Sequence, residues 1–198
     1  SIVGAQPCEP ATLRTLVGKI TRHGPTALPD GRLVAVEQVE AVLSRSSEMS
    51  VRVRAGEAEL VHEAQSKHLG LRVFRDQRSS LTYTSDFSEA GLQQFIDNAV
   101  ALCRLAEPDP LNELPGREEL LAKDAVLPDL HLWDDRALSV DAAAALRIAT
   151  QCEAAALAVS DKLRAGHGSS YGRSVGVGAF ACADGGGVLF CGSNRGTY

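Results

Sequence analysis

The chain lacks most of the patterns that announce a chemistry. It has no C-x-x-C pair. Its five cysteines, Cys8, Cys103, Cys152, Cys182 and Cys191, are odd in number and widely spaced, which gives no support to a zinc ribbon or a thioredoxin-like centre. It has no excess of positive charge. The net charge is −5, with acids and bases mixed along the chain, and that disfavours a nucleic-acid binder working through a general basic field. No apolar run reaches the ~18–20 residues of a membrane-spanning helix. No basic segment followed by an apolar core opens the sequence, so no secretory signal is expected. No His-Glu-x-x-His, short-period repeat or low-complexity tract occurs.

What is present is ordinary for a globular protein: 44% hydrophobic and 23% charged residues. A length of 198 residues is enough for one domain with a sizeable core. The cysteines fit a reducing cytoplasm. Cys103 and Cys152 fall on helix faces read as buried, where cysteine acts as a small hydrophobe.

The pattern predicts an α+β fold. An antiparallel meander sheet packs with two main amphipathic helices, and a β-hairpin follows near the C-terminus. Residues 1–46 are poorly assigned. Ala11 to Ile20 has a helical stripe, then Gly24, Pro25, Pro29 and Gly31 break it. Leu33 to Leu43 fits strand or helix. Ser50 to Arg54 alternates, with Val51 and Val53 on one side and Arg52 and Arg54 on the other, which reads as a half-buried strand. A turn at Ala55-Gly56-Glu57 leads to strands over Ala58–Gln65 and Leu69–Phe74, with Leu71 and Val73 inward. Arg75 to Arg78 forms a loop. Leu81, Tyr83 and Ser85 then alternate against Thr82 and Thr84, in a meander with one wet face.

Asp86, with Glu89 three residues on, is expected to cap a helix. Its stripe is Leu92, Phe95, Ile96, Ala99, Val100 and Cys103, and Pro108 and Pro110 end it. Residues 107–138 form a long connection, with a helical turn expected over Glu118–Lys123. Ser139 is expected to cap a second helix reaching Ser160, with Ala142, Leu146, Ala149, Ala156 and Leu157 on one face. Val175–Cys182 and Val188–Cys191 then make a hairpin around Asp184-Gly185-Gly186-Gly187. Because this hairpin leaves an open edge so near the end, a C-terminal domain is expected to be absent from the sequence.

Candidate site residues are few. His62-Glu63 and His68 stand six apart. On a helix the rings diverge, and on a strand they lie ~20 Å apart, so the geometry does not make one metal site. Glu153 lies on the apolar stripe of the second helix. A carboxylate there is either a general base or a structural group. The structural reading pairs it with Arg72 or Arg147, or lets it reach solvent. Arg72, Arg75 and Arg78 flank the first hairpin and offer an anion or peptide contact, against the plainer reading of a solvated face. Cys182 and Cys191 oppose each other only if Gly186-Gly187 is the turn, and two reduced thiols are the expected state. The Gly166, Gly176 and Gly185 clusters lack the strand–loop–helix setting of a phosphate cradle. No nucleophile-elbow signature of the form G-x-S-x-G is read among the plentiful Ser, His and Asp residues.

Several short segments in order resemble one family. They are Val51-Arg52-Val53-Arg54-Ala55-Gly56-Glu57, Gly70-Leu71-Arg72-Val73-Phe74, Thr84-Ser85-Asp86-Phe87-Ser88 and Pro108-Asp109-Pro110. Pro128-Asp129-Leu130 and Cys152-Glu153-Ala154-Ala155-Ala156-Leu157 follow. From about Ser47 onward the chain resembles the N-terminal domain of the TldD/PmbA proteins, the metallopeptidase-related "modulator of DNA gyrase" family, and the PmbA (TldE) branch most. The first forty or so residues depart from the family's opening helix and strand.

The resemblance implies a cytoplasmic homodimer or a heterodimer with a TldD/PmbA paralogue, acting on unfolded peptide or protein. It implies zinc in the TldD-type subunit, on a His-Glu-x-x-x-His helix in the second half of the protein. This chain has no such motif, so it implies no cofactor here and no catalytic or metal residue. Arg72, Arg75, Asp86 and Glu153 remain as substrate-contacting or structural candidates. Dimerisation and peptide binding, without chemistry and without membrane or direct nucleic-acid contact, are the expected roles. A regulatory protein-binding module of gyrase-modulator type is the alternative. A small enzyme built on Glu153 is a third reading.

Overall fold

The structure is a computed structural model. It describes residues 26–27, 33–34, 36–121, 125–126, 128–163, 166–184 and 187–197. The helix expected over Ala11–Ile20, the breakers Gly24, Pro25, Pro29 and Gly31, and Cys8 lie outside the described residues.

Two residue pairs, β1 (Thr26–Ala27) and β2 (Leu33–Val34), bridge antiparallel. The main body is a five-stranded sheet in the order β5-β4-β3-β6-β7. Its strands are β3 (Gln38–Arg54), β4 (Glu57–Arg75), β5 (Arg78–Thr84), β6 (Ser169–Asp184) and β7 (Gly187–Thr197). Every neighbour pairs antiparallel, so the predicted α+β class with a meander and a late hairpin holds.

The strands are longer than the sequence pattern implies. The segments expected to be separate, 58–65 and 69–74, are one 19-residue strand. The polar run Ser66-Lys67-His68 stays in the ladder opposite Ser46, Arg45 and Ser44. Polarity there marks solvent on the side chains, not a break in the backbone. Tight turns close both ends of β4. Ala55 and Gly56 have φ of +53° and +80°, and Asp76 and Gln77 have +49° and +59°, the positive φ pair of a hairpin turn that matches strand twist.

Three helices stand among the described residues: α1 (Glu89–Cys103), α2 (Asp135–Leu138) and α3 (Ala142–Leu157). The caps differ from expectation. Ser88, not Asp86, caps α1, its hydroxyl accepting from Gly91 N–H at 3.1 Å. Asp86 sits two residues earlier and accepts from Ser88 N–H at 2.9 Å. The Ser88 backbone and hydroxyl together hold the Asp86 carboxyl below its ordinary range. Asp141, not Ser139, caps α3 through Ala144 N–H at 2.7 Å. In both cases several cap formers stand in a row, and the sheet fixes where the first turn begins. Ser88→Ala should cost about 1 kcal/mol of stability, read from a urea melt. Asp86→Ala should cost less, because it leaves the Gly91 N–H capped.

The odd-numbered side chains of β3 and of β6, and those of β4 from Val61 on, face the helices. Phe95, Ala99 and Cys103 of α1 pack on Val39, Ala41, Leu43, Leu69, Leu71 and Val73. Ala145 and Ala149 of α3 pack on Met49, Val51 and Val53. Alanine lets α3 come close to the strands. Ala156, expected on that face, is exposed, and so is Cys152. Within the connection, residues 116–119 form a turn, with Glu119 N–H donating to Gly116 C=O, and the described part of 118–123 is not helical. The end of the connection ties to the sheet. Thr197 N–H donates to Leu132 C=O at 2.7 Å, and Arg195 stacks on Trp133 at 4.5 Å. Arg173 Nη1 donates to the carbonyls of Ala137, Leu138 and Val140 at the end of α2, a cation on helix-end carbonyls.

Candidate functional site

The second face of the sheet carries the even-numbered residues of β3 and is covered only in part. At one end, Phe74, Leu114 and Cys182 are buried with Phe180, Leu189 and Phe190. Leu114 N–H donates to Gln38 Oε1 at 2.9 Å, which seats the connection there. Beyond that the face is open among the described residues. One row across it runs Tyr83, Gly70, Val42, Phe180 and Gly192, and the next runs Leu81, Arg72, Glu40, Cys182 and Phe190. Tyr83 is 71% exposed, Leu81 55% and Val42 47%. Tyr83 lies over Gly70, whose added Cβ would meet the ring at 3.4 Å, so the glycine leaves room for the ring. The alternation read in β5 is real, but its apolar members point to the open side. Thr82 and Thr84 are half-buried on the helix side.

The structure scatters the candidate residues. Arg72 lies on the open face, 3.6 Å from Glu40 and stacked on Phe74 at 4.8 Å. Arg75 pairs with Asp76 at 3.0 Å. Arg78 donates to Ala106 C=O. Asp86 serves the start of α1 as described above. Glu153 is 7% exposed. Its partners are neither Arg72 nor Arg147 but backbone: Ala55 N–H at 2.9 Å and Gly56 N–H at 2.8 Å. Each carboxylate oxygen takes one amide of the β3–β4 turn. Sequence periodicity signalled the burial of Glu153, but the partner is about a hundred residues away and carries no side-chain signature. Glu153 and Arg75 meet opposite ends of β4, whose 19 residues span about 60 Å, so they form no common site.

His62 and His68 both lie on β4, opposite Ser50 and Ser44, about 20 Å apart on one face. No three His, Cys, Asp or Glu side chains among the described residues converge as a metal site would require. Contrary to the reading that no G-x-S-x-G occurs, Gly168-Ser169-Ser170-Tyr171-Gly172 has that spacing. It runs into β6 rather than into a helix, and Ser170 is exposed opposite Arg52, which is not the strand-to-helix elbow that activates a serine.

Cys103 donates to Arg78 C=O at 3.3 Å, and burial pushes its thiol up. Burial raises Cys182 as well. Register places Cys182 opposite Phe190 and Cys191 opposite Ala181, so the two thiols sit on different faces and cannot bridge. A maleimide at neutral pH should modify Cys152 quickly and leave Cys103 and Cys182 untouched until denaturant is added. Mass spectrometry of the labelled peptides reads this directly.

The family profile described as PmbA/TldA metallopeptidase domain 1 matches residues 39–103, the span of β3, β4, β5 and α1. Two curated relatives agree. The metalloprotease PmbA homolog of Haemophilus influenzae is 31% identical over 138 residues, covering 70% of this chain and 30% of the relative. Metalloprotease PmbA of Escherichia coli O157:H7 is 30% identical over 146 residues, covering 74% and 31%. This chain carries the first domain of the PmbA/TldD family. It spans under a third of the length of those relatives.

Solved structures share the PmbA/TldD fold at lower identity. A candidate modulator of DNA gyrase from Bacteroides thetaiotaomicron superposes with a TM-score of 0.68 at 20% identity, over 94% of this chain and 38% of that one. TldE from Thermococcus kodakarensis gives 0.61 at 14%, over 94% and 36%.

Proposed function

We propose that this PmbA/TldD domain binds unfolded peptide and takes part in dimerisation, and that it performs no chemistry of its own. The observation that carries the reading is the open sheet face with Val42, Leu81 and Tyr83 exposed beside it. A sheet face whose outer strand, β5, pairs on one side only among the described residues suits an extended chain, since backbone hydrogen bonds give affinity without demanding a sequence. The scattered Arg72, Arg75, Asp86 and Glu153 supply no converging acid, base or nucleophile. Zinc chemistry in such an assembly falls to a TldD-type subunit, homologous and separate, in a dimer with this chain or its relatives. Free thiols suit the cytoplasm, and no helix among the described residues is long and apolar enough to cross a membrane.

The test is binding of a fluorescent unstructured polypeptide, followed by anisotropy at two salt concentrations. Micromolar binding that barely changes with salt, and falls at least tenfold in Leu81→Asp/Tyr83→Asp, supports peptide capture on this face. No peptide binding, with salt-insensitive binding to a folded protein partner, would favour the gyrase-modulator type of module instead.

A further inference from the structure

On the helix side of the sheet the two packing clusters do not meet. α1 covers β3 as far as Leu43, and α3 takes over at Met49. Two rows lie between them. One runs Lys67, Arg45, Val177 and Arg195 across four strands, and the next runs Gln65, Ser47, Val175 and Thr197. Both helices start at this gap and run away from it. Phe87, just ahead of α1, carries Lys67 on its ring at 3.8 Å, while Cys103 at the far end reaches Val73 C=O. Val140, just ahead of α3, accepts from Arg173 Nη1 at 2.9 Å, while Glu153 near the far end holds the β3–β4 turn. The positive ends of two helix dipoles therefore border the gap.

Three cations share the first row. Arg45 and Lys67 stand directly opposite each other, a like-charge pair that weakens a ladder. Arg195 lies two strand spacings from Arg45, about 10 Å, and is held on Trp133. Among the described residues none of the three has an ion pair. The acids of the bordering segments are engaged locally. Asp86 accepts from Ser88, Asp134 from Arg136, Asp135 from Trp133 and Asp141 from Ala144. Glu89 is exposed in the first turn of α1, and Glu63 is four residues along β4 from Lys67, about 13 Å. On the α3 side of the gap, Arg173 Nε is buried without a partner. A chain with a net charge of −5 thus gathers unpaired positive charge at one place, with no neutralising group of its own.

We propose that this gap binds a small organic phosphate with a second anionic group, its phosphate held by Arg45 and Lys67 and its other end by Arg195. The site lies on the face opposite the proposed peptide surface and does not depend on that reading. Charge sets the ligand class. A phosphate monoester carries about −1.5 to −2 at neutral pH, which matches two adjacent cations, whereas one carboxylate balances only one. The guanidinium fork of Arg45 suits two phosphate oxygens, and Lys67 adds a point charge. The bases of a nucleic-acid strand need free aromatic faces, and Phe87 and Trp133 already carry Lys67 and Arg195.

The test is calorimetric titration of the 198-residue chain with fructose bisphosphate and with fructose monophosphate at low salt. The bisphosphate should bind at least tenfold more tightly than the monophosphate. Arg45→Gln and Lys67→Gln should each weaken both ligands at least tenfold. Arg195→Gln should bring the bisphosphate down to the level of the monophosphate and leave the monophosphate unchanged. Arg147→Gln, at an exposed position on α3, should change neither. Without ligand, Arg45→Gln should melt no lower than the parent, because it relieves the opposition to Lys67, and this separates a lost contact from a lost fold. No binding of either sugar phosphate overturns the site, as does an equal loss in Arg147→Gln. Equal affinity for the two ligands overturns the role of Arg195. A single-stranded oligonucleotide that displaces the bisphosphate and binds more tightly would make the gap a nucleic-acid surface and overturn the proposal.

Discussion

Gly168→Ala is expected to destabilise the protein by about 3–5 kcal/mol, a loss of roughly 10 °C in Tm for a chain of this size. Gly168 has φ of +87°, and a Cβ there would sit 2.2 Å from Val53 C=O oxygen, with Arg54 Cβ at 3.3 Å. Two costs combine. The left-handed backbone disfavours any side chain, and the obstacle is backbone of a central strand, not a side chain that can swing away. Gly166 is the control. It does not have a positive φ, and its nearest non-neighbouring atom to an added Cβ is Gly168 N at 3.8 Å, so Gly166→Ala should stay within about 1 kcal/mol of the parent. Thermal melts of the two variants decide it. Equal stability would mean that the segment entering β6 is not seated against Val53.

The second large effect is at the same end of the molecule. Glu153→Ala removes both acceptors from Ala55 and Gly56 and should cost about 2–4 kcal/mol, since hydrogen bonds to charged groups contribute roughly 1.5–3 kcal/mol each and water reaches the exposed turn in part. Glu153→Gln keeps one oxygen but turns an N–H₂ toward an N–H, so it should recover only part of the loss. Hydrogen exchange at the Ala55 and Gly56 amides should speed up in both variants while the amides of α1 keep their protection. A general-base role would instead leave stability intact in the Gln variant. Together Gly168 and Glu153 clamp the base of the β3–β4 turn from β6 and α3.

The local features were legible because they rest on neighbouring residues. Alternation at Val51 and Val53, the inward Leu71 and Val73, and the α1 stripe through Phe95, Ala99 and Cys103 are periods of two and 3.6 read directly from side chains. The Ala55-Gly56 turn was visible for the same reason. Caps slipped by two residues, from Asp86 to Ser88 and from Ser139 to Asp141, because each stretch offers several side chains of similar capping strength.

The sequence by itself determined the class of fold, the meander, the two amphipathic helices and the absence of the zinc motif, because each is written in spacing along the chain. Only the tertiary structure decided that β6 joins β3 across more than a hundred residues, that Leu81 and Tyr83 face the open side, and that Glu153 serves a distant turn. It also decided that the two candidate histidines and the arginines never meet. Those outcomes depend on which strands pair and which face the helices cover. Backbone amides that Glu153 binds are the same in every residue, so no side-chain pattern could have named them.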